Sequence, residues 1–299
     1  MTATAARMQS LRAAIKNAGL DGWYVGREDM FQGEEVPPSE ERLAFISGFT
    51  GSAGYGVILD DAAALFSDGR YTLQMANQSD PAVWSTHTLP EASLASWLTE
   101  AGADGRRIGV DPSLVTVAGY KRLEKACRQA GATLLAQSEN PIDAVWGTGR
   151  PQRGAARPFR MPDRVAGQTM AEKLVVLDKK LADSGADAVV ISRVDAVNWL
   201  VNIRGNDLAN TPVNLVFALY HRENGLLILG DVASLAPVME GDLANEAAIV
   251  ALEQFDALID PRAGYGEGAV IQFEPASLPQ ALYAPLAACG AKLVEAACP

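Results

Sequence analysis

Apolar positions Met8, Leu11 and Ile15 recur at the spacing of one helix face and are followed by Gly19, so the pattern predicts an amphipathic helix closed by a glycine. Leu174, Leu177 and Leu181 repeat that spacing ahead of Gly185, with Thr169 and Glu172 placed as a capping box at the start. Each helix leads into a short apolar strand, Trp23-Tyr24-Val25 in the first case and Ala188-Val189-Val190-Ile191 in the second. The next apolar runs, Phe45–Gly51 and Trp199–Gly205, also correspond and are expected to be strands. A hairpin follows in both places: Tyr55–Leu59 turns at Asp60-Asp61 into Ala64-Leu65-Phe66, and Leu215–Leu219 turns near Asn224-Gly225 into Leu226–Leu229. Further on, Ile108-Gly109-Val110-Asp111-Pro112 matches Ile271-Gln272-Phe273-Glu274-Pro275, and Leu134-Leu135 after Gly131 matches Leu293-Val294 after Gly290.

The spacing between the copies drifts only by loop-sized amounts, which marks an internal duplication. The predicted fold is therefore α/β, two similar domains that are each a mixed β-sheet flanked by helices, in the order helix, strand, strand, hairpin, helix, strand, helix, strand. Helices at 117–130 and 278–288 belong to the closing halves. The domains are expected at residues 1–150 and 165–299, joined by 151–164. The whole stretch from Pro141 to Arg164, with Pro141, Pro151, Pro158, Pro162 and five arginines, reads as a semi-rigid solvated linker.

Composition narrows the function. A length of 299 residues suits two domains with their own cores. The balance of 25 basic against 36 acidic residues, net −11 with pI near 4.7, argues against a nucleic-acid partner. No apolar run reaches the length needed to span a bilayer, so no membrane partner is expected. The first residues lack a secretory signal, which predicts a cytoplasmic protein. Cys127, Cys289 and Cys298 are too far apart for a metal knuckle and are read as buried or idle thiols. Asn77-Gln78-Ser79 is read as a chance sequon.

Candidate chemistry is sparse. His87 and His221 are the only histidines, with no HExxH pattern, so no metal site is expected; both are read as ordinary surface or hairpin residues. Glu34-Glu35 and Glu40-Glu41, flanking Pro37-Pro38, are read as solvated charge. No GxSxG elbow is present, and no catalytic residue is assigned. The run from Gly48 to Gly56 lacks the lysine and following helix of a phosphate loop and is read as a tight turn. At the end of the first hairpin, Asp68-Gly69-Arg70 offers a guanidinium fork for a ligand carboxylate or carbonyl. Arg204-Gly205-Asn206-Asp207 is read as a local turn whose Asn and Asp bond the backbone.

The stretch Arg42–Gly54, then Ser67-Asp68-Gly69-Arg70-Tyr71 with Gln74, closely resembles the first domain of three-domain Xaa-Pro aminopeptidases (aminopeptidase P). Asn198–Asp207 with Asn210, Pro212 and Val213 resembles their second domain, and Gly109–Pro112 and Val145-Trp146 through Arg150-Pro151 fit as well. The resemblance implies two creatinase-type N-terminal domains ahead of a pita-bread catalytic domain that is expected to be missing here, making the chain a fragment inactive alone. It implies that the parent releases an N-terminal residue preceding proline, using two divalent ions, usually manganese, on that third domain, so that peptides with proline at the second position are the partners. It also implies a parent homodimer formed largely through the same domain. Residue by residue, the resemblance carries over Arg70 as a peptide-binding residue and places Arg204 and Asp207 at the lip of the cleft. The alternative is a stand-alone scaffold that reuses the same domains for protein interaction.

Overall fold

A computed structural model describes residues 3–154, 157–239, 242–260, 262 and 264–299. The chain divides into two compact units, the first taking in residues up to Met30 and Val36–Arg153, the second Phe31–Glu35 and Gly154–Pro299. Of the stretch expected to link the domains, residues 155 and 156 lie outside the described residues.

The first unit contains α1 (Ala3–Asn17), β1 (Gly22–Gly26), α2 (Arg42–Ser47), β2 (Tyr55–Leu59), β3 (Ala63–Asp68) and α3 (Thr72–Gln78). It continues with β4 (Ser85–Leu89), α4 (Leu94–Glu100), β5 (Arg107–Val110), α5 (Val117–Gln129), β6 (Thr133–Ala136) and α6 (Pro141–Trp146). Among the described residues its sheet has the order β4-β3-β2-β1-β5-β6, antiparallel across β3-β2-β1 and parallel elsewhere. Side chains alternate between two buried faces, as a sheet covered on both sides requires. Trp23, Val25, Ile58 and Leu65 pack under Met8, Leu11 and Ile15 of α1, while Val57, Leu59, Phe66 and Val110 pack under Trp97 and Leu98 of α4 and Leu123 and Cys127 of α5.

Burial of ionisable groups gives this unit an alkaline weakness. Burial pushes the Cys127 thiol from its ordinary 9.0 up to about 11 and the Tyr55 hydroxyl from 10.0 up to about 12. Both are acids held neutral by the fold, so the unfolded chain loses these protons first and stability falls as pH rises from 9 to 12. The melting temperature of this unit is expected to drop across that range, and Cys127→Ala to lessen the first part of the fall. A profile unaffected by that substitution contradicts the assignment.

The second unit contains β7 (Phe159–Arg160), α7 (Asp163–Ala166), α8 (Met170–Ser184), β8 (Ala188–Ile191), α9 (Val194–Leu200), β9 (Ile203–Arg204), β10 (Phe217–His221) and β11 (Gly225–Leu229). After these come α10 (Val232–Leu235), α11 (Asp242–Glu246), β12 (Ala247–Val250), α12 (Phe255–Leu258), β13 (Val270–Phe273), α13 (Gln280–Ala288) and β14 (Lys292–Glu295). The sheet order β12-β11-β10-β8-β13-β14 repeats the first unit strand for strand, with the same directions. Its core joins Leu177 and Leu181 of α8 to Val189, Ile191, Ala218 and Ile228 of the sheet. Thr169 and Glu172 form the capping box, and Gly185 closes α8 in the left-handed conformation. Phe31–Glu35 packs within this unit: the Phe31 ring lies 4.8 Å from that of Phe217, and the Glu35 carboxylate accepts from Asn210 N–H at 3.0 Å and Thr211 Oγ1 at 3.1 Å.

Several expectations are corrected. Neither Phe45–Gly51 nor Trp199–Gly205 is a continuous strand: the first is the end of α2 followed by a loop, and the second is the end of α9, a turn at Val201-Asn202 and the two-residue strand β9. Arg42, Leu43, Ile46 and Ser47 are the buried positions of α2, a helical spacing that extends before the apolar run, and Gly48 at φ 85° closes the helix. Asn202, at φ 53°, follows the C-terminal end of α9. The proposed linker begins too early. Asn140 caps α6, Pro141 takes its first turn, and Ile142 is fully buried beside α1. Phe159–Arg160 pairs with Ile203–Arg204 as a two-stranded ribbon. Glu40 and Glu35 are not simply solvated, since Glu40 pairs with Arg42 at 2.6 Å and Arg150 at 3.0 Å. His221 sits in the hairpin as expected but is buried, its Nδ1 accepting from Glu223 N–H at 3.1 Å.

Candidate peptide-binding rim

Arg70 lies just past β3, where the strand ends in a single 3₁₀ turn, Gly69–Tyr71. Asp68 is extended and caps that turn, its Oδ1 accepting from Arg70 N–H at 3.0 Å. The same carboxylate receives Nε of Arg70 at 2.9 Å and Nη2 at 2.8 Å, a two-pronged pair. Those hydrogen bonds hold the Asp68 carboxyl below the usual carboxylate range. The Arg70 guanidinium also lies over the Tyr71 ring, 5.1 Å from its centre, and 63% of its side chain is exposed.

Tyr71 and the glycine-rich loop form one structure. The Tyr71 hydroxyl shares a 2.7 Å hydrogen bond with Ser52 Oγ, which holds the phenol below its ordinary range. Its ring meets Phe49 edge-on at 5.8 Å. Gln78 Oε1 accepts from Thr50 N–H at 2.9 Å, and Gln74 Nε2 donates to Thr50 Oγ1 at 3.2 Å. Glycine is required where this loop touches its surroundings: a Cβ on Gly48 would stand 2.7 Å from Gln78 O, and one on Gly54 2.7 Å from Phe66 O. The loop is thus the tight turn expected, pressed against α3 and the end of β3. Its exposed edge presents a guanidinium, hydroxyls and amides, the chemistry that suits peptide carbonyls or a carboxylate.

Arg204 and Asp207 stand in the second unit, and each has backbone partners there. Arg204 Nη1 donates to Asn198 O at 3.0 Å and Ile203 O at 2.7 Å. Asp207 Oδ2 accepts from Leu215 N–H at 2.6 Å, and Asn206 Oδ1 from Arg157 N–H at 2.8 Å, so this segment is a backbone-bonded turn. Beneath it Asn198 and Asn214 are buried against each other: Asn198 Nδ2 donates to Asn214 O at 2.8 Å and Asn198 Oδ1 accepts from Asn214 N–H at 2.9 Å. The sequence motifs hold Thr50, Ser52, Tyr71 and Gln74 without giving them a role, and Gln78 enters only within a chance sequon. Their partners lie 19 to 28 residues away in sequence, beyond the reach of local pattern.

Among the described residues no three His, Cys, Asp or Glu side chains converge in a way that could hold a metal ion. The described residues thus offer no donor set for the divalent ions implied by the resemblance. Among the same residues no helix is long and apolar enough to cross a membrane.

Two sequence models, each of the Creatinase/Prolidase N-terminal domain, match residues 7–145 and 149–299. A probable Xaa-Pro aminopeptidase P of Chaetomium globosum is 39% identical over 238 residues, covering 78% of this chain and 38% of the relative. Its counterpart in Talaromyces marneffei is 35% identical over 260 residues, covering 85% of this chain and 39% of the relative. The chain therefore spans about two-fifths of the length of these curated relatives. In three dimensions it is similar to an X-prolyl aminopeptidase of Caenorhabditis elegans, described as a cytosolic enzyme with a di-nuclear active site. The TM-score is 0.86 at 22% identity over 99% of this chain and 51% of that one, a likeness of fold.

Proposed function

The chain belongs to the creatinase/prolidase N-terminal domain family, and from that premise we propose that it is the non-catalytic N-terminal part of a metal-dependent Xaa-Pro aminopeptidase. The relatives that cover most of its length, themselves probable Xaa-Pro aminopeptidases, support this reading. In it the two units restrict access to an active site borne elsewhere in the protein, and Arg70 contributes to holding the peptide. The substrates are peptides with proline second, the two ions are manganese, the parent is a homodimer and the compartment is cytoplasmic. An X-Pro bond is a tertiary amide without an N–H, so recognition falls on carbonyls and termini, which a guanidinium fork suits.

The observation that carries the role of Arg70 is its geometry: an exposed guanidinium fixed at the rim by its own neighbour. In the protein of full relative length, Arg70→Ala is expected to raise KM for an X-Pro peptide roughly ten- to hundredfold, the worth of a charged hydrogen bond, with metal content unchanged. Wild-type kinetics would remove Arg70 from the mechanism. The present chain supplied with manganese is expected to give no turnover of the same peptide; cleavage above background contradicts the non-catalytic assignment.

A further inference from the structure

We propose that Asp68 and Tyr71 are positioning residues that preset Arg70 in one orientation for the peptide, an inference that rests on the peptide-binding role given to Arg70 above. Two independent contacts converge on the guanidinium. Asp68 grips it from one edge through Nε and Nη2. Tyr71 supports its face with the ring. Each of these two residues is fixed in turn by something other than Arg70. Asp68 lies on the last rung of β3, paired with Leu89 of β4. Tyr71 is locked at its hydroxyl by Ser52 and at its ring by Phe49. The chain of restraint thus runs from the sheet and the glycine-rich loop to a long side chain that would otherwise sample many rotamers.

Stability accounts for the cap that Asp68 sets on the 3₁₀ turn, not for its grip on the guanidinium. An ion pair as exposed as Asp68–Arg70 adds little to folding, because water screens it and two side chains are immobilised to make it. Prepaying that immobilisation does help a ligand, since a peptide meeting an already ordered fork loses less entropy on binding. The arrangement therefore fits a binding device better than a structural one.

The test separates fork, ring and cap. Asp68→Ser keeps an oxygen to cap the 3₁₀ turn but cannot span Nε and Nη2 together. Tyr71→Leu removes the ring, and Tyr71→Phe restores it without the hydroxyl. In the chain described here, the Arg70 Nε–Hε proton is expected to give a distinct, slowly exchanging NMR signal that collapses to the solvent-exposed position in Asp68→Ser and Tyr71→Leu. Phe at 71 is expected to recover most of it. In the protein of full relative length, both disruptive variants are expected to raise KM for an X-Pro peptide about three- to tenfold with kcat held, a smaller effect than Arg70→Ala because the donor survives. If Arg70→Ala raises KM but Asp68→Ser and Tyr71→Leu leave it alone, the positioning inference fails and the binding role stands. If Arg70→Ala has no effect, the binding role fails first. An Arg70 signal that is already averaged in the wild type overturns the presetting itself, whatever the kinetics.

Discussion

Asp143→Ala is expected to destabilise the first unit by about 3–5 kcal/mol, the usual result of stripping one partner from a buried ion pair. Arg42, only 6% exposed, points its Nε and Nη2 at Asp143 over 2.8 and 2.9 Å and its Nη1 at Glu40 over 2.6 Å. Arg150 closes the ring, reaching Asp143 at 2.9 Å, Glu40 at 3.0 Å and the Ser39 carbonyl at 2.6 Å. Burial works against the charge on Arg42, yet the hydrogen bonds it donates to Asp143, together with Glu40, more than offset it, leaving the guanidinium held above its ordinary range. Without Asp143 two guanidinium groups share the single carboxylate of Glu40 in a partly dry setting. Calorimetry should show the transition of the first unit lowered by roughly 10 °C, given its size. Adding Arg42→Met to Asp143→Ala should restore part of the loss, because the uncompensated charge is what costs. A change below about 1 kcal/mol would place the network among ordinary surface pairs and refute this account.

Lys173→Met is expected to cost the second unit about 2–3 kcal/mol, since two acceptors lose a charged donor while the aliphatic stem is kept. Lys173 is 3% exposed and lies on α8. Its ammonium donates to Trp199 O at 2.6 Å, at the end of α9, and to the side-chain oxygen of Asn202, and it stands 4.2 Å from the centre of the Trp199 ring. A cation at a helix C-terminus satisfies carbonyls that the helix cannot. Asn202 is tied down further by its amide, which donates to Gln168 O at 2.7 Å. Hydrogen exchange of the amides from 194 to 204 is expected to quicken in the variant; protection equal to wild type would deny the cap. The pH dependence has a definite sign. Desolvation, with Arg204 nearby, lowers the ammonium below its ordinary 10.5, so the unfolded chain holds this proton more tightly. The cost of burying the charge is fully present below the folded value, and this group's contribution to stability rises as pH climbs from there toward 10.5. The substitution should abolish that rise.

How much of this was visible in one sequence depended on how strongly each segment was patterned. The central strands alternate Val57/Leu59 with Ile58 and Ala64/Phe66 with Leu65, and α1 and α8 each bury three apolar residues on one face with glycine behind, so the duplicated sheets could be read directly. Edge strands could not. Ser85–Leu89 is mostly polar and half-exposed, and Ala247–Val250 is too short and too bland to stand out. The helix α2 reads as a strand because its six residues include Leu, Phe and Ile in close order, while the buried Arg42 that completes its inner face looks like surface in any hydropathy count. For the same reason Glu40 and the stretch after Pro141 look solvated, since Asp143 and Arg150 lie about a hundred residues from the Arg42 and Glu40 they pair with. Arg70 is singled out by the motif Asp68-Gly69-Arg70, which any reading of the sequence displays. The contacts of Ser52, Thr50 and Gln78 around it do not show in local pattern, because their partners lie 19 to 28 residues away.

The five residues from Phe31 to Glu35 leave the ribosome long before the unit they pack in is complete. They emerge about 175 residues before Asn210, whose amide Glu35 receives, and before Phe217, against which Phe31 lies. A ribosome adding roughly 5–20 residues per second would leave that short segment without its bed for some ten to forty seconds. A nascent chain paused in that interval would display an uncovered phenylalanine, the kind of feature to which holdase chaperones attach. Crosslinking at position 31 during translation would show whether one does.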